Sequence, residues 1–174
     1  RLARVLATSR YATDLLQREP QGVRMLGDSL TPPEAGALLA EMRSVAGRHD
    51  DPVAAVRQIR GVRRRELFRT SVADLMGESD VAEVGAALTR LTDATLEATL
   101  EVAGRSVRRA KGLEVAPTRL AIIAMGRYGG FELSYGSDAD VMFVHHPEPG
   151  ADPHGASSYA AAVSRRESSP RSAW

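Results

Sequence analysis

Asp138 and Asp140 stand two residues apart at the head of an apolar run, Val141-Met142-Phe143-Val144, and just after a glycine-rich stretch. On a β-strand successive side chains face opposite ways. A strand over Asp138 to Val144 therefore points both carboxylates to one side and Ala139, Val141 and Phe143 to the other, toward a core. Two carboxylates on one face can hold Mg²⁺, which takes oxygen ligands and keeps positions for water and substrate phosphates. Upstream, Leu120 to Met125 reads as a buried strand, because a short apolar run bounded by glycine suits one. Between the strands, Gly126 to Ser137 forms a loop holding four glycines. Glycine lets backbone N–H groups approach a triphosphate closely. Gly129, Gly130 and the Ser137 hydroxyl are the candidate nucleotide contacts. Asp138 and Asp140 are the candidate metal ligands and catalytic carboxylates.

An isolated Asp-x-Asp is more often a pair of solvated surface acids. The Gly129-Gly130 turn, Ser137 beside the first acid and the apolar flanks on both strands favour the nucleotidyltransferase pattern instead. The run Gly126-Arg127-Tyr128-Gly129-Gly130-Phe131-Glu132-Leu133-Ser134-Tyr135-Gly136-Ser137-Asp138-Ala139-Asp140 closely resembles the signature of the glutamine synthetase adenylyltransferases. That family has Gly-x-Gly-Gly-x-Glu-Leu followed at short spacing by Ser-Asp-x-Asp. It belongs to the DNA polymerase beta-like nucleotidyltransferases. Ser9-Arg10-Tyr11, Leu15 to Pro20, and Arg64 to Arg69 with Asp74-Leu75 resemble the helices that precede the family's catalytic domain. The wording Tyr135-Gly136-Ser137-Asp138 is nearer to the adenylylating half of that two-domain enzyme. Arg127-Tyr128 stands where Lys and a small aliphatic residue are more usual, and Ala139 where a larger aliphatic is common.

The resemblance implies ATP as substrate, a two-metal Mg²⁺ site bridged by Asp138 and Asp140, and glutamine synthetase as the protein whose tyrosine receives AMP. It also implies removal of that AMP by phosphorolysis in the other half of the enzyme, and a PII-type nitrogen regulatory protein as a partner. Glu132 is expected to be structural, tying the loop down. The family adds a third carboxylate on a later strand, in an Asp-x-Arg-x-Arg-Pro-like run. Nothing in this chain matches that run; Glu148 and Asp152 come too early and fall in a loop. Transfer by this chain alone is therefore expected to be weak or absent. Two alternatives stand beside this reading. One is another nucleotidyltransferase, of uridylyltransferase or aminoglycoside-modifying type, although Glu132-Leu133 argues against it. The other is a helical interaction module carrying a vestigial acid pair.

The elements that must position the dyad come before it. Residues 2–17 carry Leu2, Val5, Leu6, Ser9, Ala12 and Leu16 at helical spacing, and Pro20 stops the run. Thr31-Pro32-Pro33-Glu34 predicts a helix start with Thr31 as cap, Pro32 in the first turn and Glu34 closing a capping box. Leu38, Leu39, Met42 and Val45 give that helix its buried face. Asp51-Pro52 starts a third helix, with Val56, Ile59, Val62, Phe68, Val72 and Leu75 as its apolar positions. It also carries six arginines between Arg57 and Arg69, which read as a solvated face partnered by Glu66 and Asp74. Asp80-Val81-Ala82-Glu83 predicts a capping box on the longest helix. Val84, Leu88, Leu91, Leu96, Leu100 and Val107 mark its inner face, basic residues fill its last turns, and Gly112 ends it. The expected class is α+β: about four helices, then the start of an incomplete polymerase beta-like sheet. The expected divisions are 1–115 helical, 116–163 catalytic and 164–174 a disordered or non-native tail. Ser157 to Val163 can begin a helix.

Composition sets the remaining bounds. The chain has 174 residues with 23 basic and 22 acidic side chains, a net charge of +1. No global charge argues for nucleic acid or a membrane surface. Cysteine is absent, so disulfides and thiolate metal sites are excluded. His145 and His146 are adjacent and face opposite ways on a strand, so they read as strand-end residues rather than ligands to one ion. No apolar run approaches the ~18 residues of a membrane span. Arg1 and the lack of a signal segment make the chain read as a cytoplasmic fragment of a longer protein.

Overall fold

Two aspartates set the long helices. Asp51 accepts from the Val53 and Ala54 N–H groups and opens a helix over Pro52–Met76, which Gly77 closes in the left-handed conformation. The Asp80 carboxylate accepts from Glu83 N–H while the Glu83 carboxylate accepts from Asp80 N–H. This reciprocal box opens a 31-residue helix over Val81–Lys111, which ends at a left-handed Gly112. Both starts and both stops lie where the capping chemistry puts them.

The computed structural model describes residues 2–27 and 29–167. In chain order it holds α1 (Leu2–Thr8), α2 (Arg10–Arg18), a 3₁₀ helix (Pro20–Gly27), α3 (Ala35–Gly47), α4 (Pro52–Met76), α5 (Val81–Lys111), β1 (Thr118–Ala124), a one-turn α6 (Gly126–Gly129), β2 (Val141–Pro147) and α7 (Pro153–Glu167). The class is α+β, with a two-stranded antiparallel ribbon. None of the described helices is long and apolar enough to cross a membrane.

Four expected element boundaries shift. The single helix over 2–17 is two helices. Ser9 takes an extended conformation and caps α2 by accepting from Ala12 N at 3.1 Å, the usual competition of a serine with the helical backbone. The capping box at Thr31 does not form; α3 begins at Ala35 behind an extended Glu34 with no side-chain cap. Consecutive prolines disfavour helical backbone in the residue before each, so Thr31 and Pro32 stay out of the helix. The second strand starts at Val141 rather than Asp138. Finally, helix α7 runs through to Glu167, past the break expected at Ser164, while residues 168–174 lie outside the described residues.

Four of the six arginines of α4 are ties between elements rather than a solvated face, whereas Arg57 is exposed. Arg65 grips Glu41 of α3 with two hydrogen bonds, at 2.7 and 2.6 Å, and Glu66 at 2.9 Å. Arg69 binds Glu66 at 2.9 Å and the Ser29 carbonyl at 2.8 Å. Arg64 meets Glu19, just past α2, at 3.2 Å. Arg63 reaches Thr92 and Thr95 on α5; burial pulls its guanidinium down to about 10, still charged at neutral pH. Glu66, one of the two acids expected as a solvated partner, is only 3% exposed.

The bundle core joins Leu38 and Met42 of α3, Ile59 and Val62 of α4, and Leu91 and Val102 of α5. A second cluster packs Val5, Leu15, Met25 and Leu30 against Phe68 and Val72. The ribbon lies along the outer side of α5, in the register Thr118↔Pro147 to Ala124↔Val141. It is half-buried where β1 was expected to be buried outright. Leu120 and Ile122 turn inward, whereas Ile123 is 41% and Met142 47% exposed. Helix α7 covers the inner face at its far end, with Tyr159 and Val163 packed on Ala103 and Val107 of α5.

Glu66→Ala leaves Arg65 and Arg69 short of a buried acceptor and is expected to lower stability by about 2 kcal/mol. Asp50→Ala, which removes only the exposed pair with Arg109, should leave the unfolding midpoint unchanged. Urea denaturation of both variants decides; equal midpoints would mean that the arginine ties contribute nothing.

Candidate active site

The turn from β1 into the loop is built on a close approach. Ala124 ends the strand and Gly126 takes a left-handed φ of 53°, after which the single turn of α6 brings Gly129 back over the strand. A Cβ at Gly129 would sit 2.7 Å from the Ala124 carbonyl oxygen, so no larger residue fits. The turn closes through Gly129 N–H to Met125 O and Gly130 N–H to Gly126 O, both at 3.0 Å, and Glu132 N–H to Arg127 O at 2.8 Å. Phe131 also takes a positive φ of 60°.

These bonds revise the part expected of the glycines. The Gly129 and Gly130 N–H groups are engaged within the turn. What Gly129 contributes is the close approach itself, the Ala124 carbonyl taking the space of its missing Cβ, while Gly130 is exposed with the Glu132 side chain near it. Ser137 is likewise employed locally: its Oγ accepts from Ser134 N at 3.0 Å and lies 2.7 Å from Ser134 Oγ.

The hairpin brings the acids to this turn. Met125 N–H donates to Asp140 O at 2.9 Å, extending the ladder one step beyond the strands. The Asp140 carboxylate lies over Gly126, with Oδ2 3.4 Å from where a Cβ would be. Asp138 and Asp140 are exposed while Ala139 and Val141 between and after them are half-buried and pack on Val84 and Leu88 of α5. Alternating burial keeps both carboxylates on the open side although Asp138 precedes the strand. Glu148 and Asp152 do not join them. Glu148 pairs with Arg119 at 3.2 Å, at the opposite end of the ribbon, and Asp152 accepts from Gly155 N at 2.6 Å at the start of α7. His145 is at that far end too, its Nδ1 3.2 Å from Thr118 Oγ1.

The motif did not announce the residues that hold the loop from below. Tyr128 is buried, and its hydroxyl donates to Asp93 Oδ1 of α5 at 2.5 Å. Burial first, and the Asp93 carboxylate second, keep that phenol well above its ordinary range, so it stays a donor. Tyr135 lies against Tyr11 of α2, ring centroids 5.3 Å apart; burial and the Asp74 carboxylate raise its phenol as well. Gly85 of α5 lets the helix touch the loop backbone: a Cβ there would stand 3.0 Å from the Phe131 carbonyl oxygen. A glycine inside an otherwise regular helix was the available signal for that contact.

Residues 1–166 match the family model described as glutamate-ammonia ligase adenylyltransferase. The chain belongs to that family. Among its relatives, the bifunctional glutamine synthetase adenylyltransferase/adenylyl-removing enzyme of Streptomyces coelicolor is 50% identical over 166 residues, 86% of this chain and 16% of that protein. The protein of the same name from Cutibacterium acnes is 50% identical over 151 residues, 86% of this chain and 15% of its own length. The one from Mycobacterium avium is 42% identical over 173 residues, covering 95% and 17%. The chain thus spans about a sixth of the length of these curated relatives. In this adenylyltransferase-family chain the Gly-Gly turn and the two aspartates form one corner, and α5 forms its floor.

Gly129→Ala is expected to push the turn off Ala124 and to lower stability by roughly 1–3 kcal/mol. Gly136→Ala, where a Cβ meets nothing within 4 Å, should leave the melting temperature within a degree or so. Equal melting curves would show that the turn does not depend on the close approach.

Proposed function

We propose that this chain carries the nucleotide-binding corner of an adenylyltransferase, in which Asp138 and Asp140 hold Mg²⁺ and the triphosphate of ATP lies across the Gly129-Gly130 surface. One observation carries the reading. The hairpin brings two exposed carboxylates to the glycine turn, through Met125 N–H to Asp140 O and the seat of Asp140 over Gly126. Family membership supports it.

Two exposed carboxylates fit the needs of Mg²⁺, which binds through one or two carboxylates plus substrate phosphates and water. When bound, the ion would neutralise triphosphate charge. The chain's own residues do the rest of the placing. Gly129 and Gly130 allow close approach, the Ser137 hydroxyl, held by Ser134, offers a polar contact, and Ala139 and Val141 anchor the acids on the core. In the longer protein, the reaction we propose is attack by a tyrosine hydroxyl of glutamine synthetase on the α-phosphorus of ATP. A new P–O bond forms to tyrosine, the bond to the leaving pyrophosphate breaks, and the hydroxyl proton is lost. For the other half of that protein we propose removal of AMP by phosphorolysis, in which inorganic phosphate attacks the same phosphorus, the bond to tyrosine breaks and ADP leaves. A PII-type regulatory protein is the partner we propose for its control. Glu148 and Asp152 are committed elsewhere, so we expect this chain to bind nucleotide but to transfer AMP weakly.

Isothermal titration of the chain with ATP, with and without Mg²⁺, tests the reading. Binding should require Mg²⁺ and should weaken by at least about tenfold in Asp138→Asn with Asp140→Asn, since two charged ligands are lost. Mg²⁺-independent binding, or equal binding by the double variant, would rule out the acid pair as the metal site. A chain that binds only a protein partner, equally with and without the acids, would instead be the helical interaction module.

A further inference from the structure

The sequence departs from the usual family wording at Tyr128, and the structure gives that residue a specific neighbour. Its ring is 4% exposed and sits in the cluster formed by Val84, Leu88, Leu96 and Leu133. Its hydroxyl meets Asp93, itself on the surface of α5. Tyr128 lies inside the one turn that closes Gly126 to Gly130, between the glycine under Asp140 and the glycine against Ala124. A rotation of that turn would therefore move both contacts at once. Gly85, about two turns before Asp93 on the same helix, holds the following segment at Phe131. Helix α5 thus grips the loop on either side of its glycine pair.

From this geometry we propose that Tyr128 and Asp93 are positioning residues: their hydrogen bond fixes the Gly126–Gly130 turn from the helical bundle, and with it the seat of Asp140. Neither residue touches the nucleotide. The consequence for ligand binding rests on the nucleotide-binding reading above, whereas the ordering of the turn does not. The bond joins a phenol to a carboxylate, so its loss should matter more than that of a neutral pair.

The experiment uses the whole chain and three variants, Tyr128→Phe, Asp93→Ala and Asp93→Asn. Tyr128→Phe keeps the ring in its cluster and Asp93→Asn keeps an acceptor oxygen. Hydrogen exchange is followed at the Gly129, Gly130 and Glu132 amides, which close the turn, and at amides in the centres of α4 and α5. Tyr128→Phe and Asp93→Ala should raise exchange in the turn roughly tenfold with the helix centres unchanged, and Asp93→Asn should restore most of the protection. Titration with Mg-ATP should show a several-fold higher Kd for the first two variants, with the Mg²⁺ requirement kept. Unchanged exchange in the turn, or a rise shared by the whole bundle, would overturn the positioning role. If the unaltered chain binds no Mg-ATP, the nucleotide reading fails for this chain, and the exchange measurements still decide the positioning role.

Discussion

Helix α5 must be buried on more than one side, and most of the structure follows from that constraint. One stripe packs on α3 and α4 through Leu91, Ala94, Ala98 and Val102. Another receives the loop through Val84, Leu88 and Leu96, and its last turns receive β1 and α7 through Ala103 and Val107. A helix so enclosed needs small or polar residues between its large apolar ones, because facing elements would otherwise clash. Its buried threonines meet that need. Thr89, Thr92, Thr95 and Thr99 satisfy their hydroxyls on the carbonyls four residues earlier, so they are buried without an unpaired donor. A two-stranded ribbon is marginal by itself; against the side of α5, under α7, it has a wall.

The polar interior serves the same end. Charged groups between helices are costly to bury unless paired with good geometry. Arg65 with Glu41 and Glu66, and Arg69 with Glu66 and the Ser29 carbonyl, meet that condition. They bind α3 and the segment before it to α4 where apolar contact alone would leave the helices free to slide. The tyrosines carry this scheme to the loop. Tyr128 reaches α5 through a hydrogen bond from its hydroxyl, and Tyr135 reaches α2 through ring contact with Tyr11.

The result is a corner with contrasting sides. Below, the loop is fastened to a bundle by close packing and a strong hydrogen bond. Above, two carboxylates and a strip of glycine backbone are open. Such a division is what the proposed phosphate-binding role would use, since fixed groups need no rearrangement when charge arrives.

Much of this was legible from residue types alone. Capping at Asp51 and Asp80 and the glycine stop at Gly112 depend on neighbours three or four residues away, and local chemistry decides them. The apolar stripes of α4 and α5 and the strand–loop–strand order also follow from short-range periodicity, and the family resemblance rested on a contiguous run. What the sequence could not decide involved partners far along the chain. Nothing near Arg65 says that Glu41 will receive it, nor does anything near Tyr128 name Asp93, 35 residues earlier. The glycines of the turn looked like donors of N–H groups. Only the fold made them spacers, because the return of α6 over Ala124 occupies their amides and leaves their missing Cβ atoms as the feature that counts. Local residue chemistry was enough to mark the acids and glycines that could do chemistry and the ends of the two long helices; which face of each element is hidden depends on what packs against it, and only the fold supplies that.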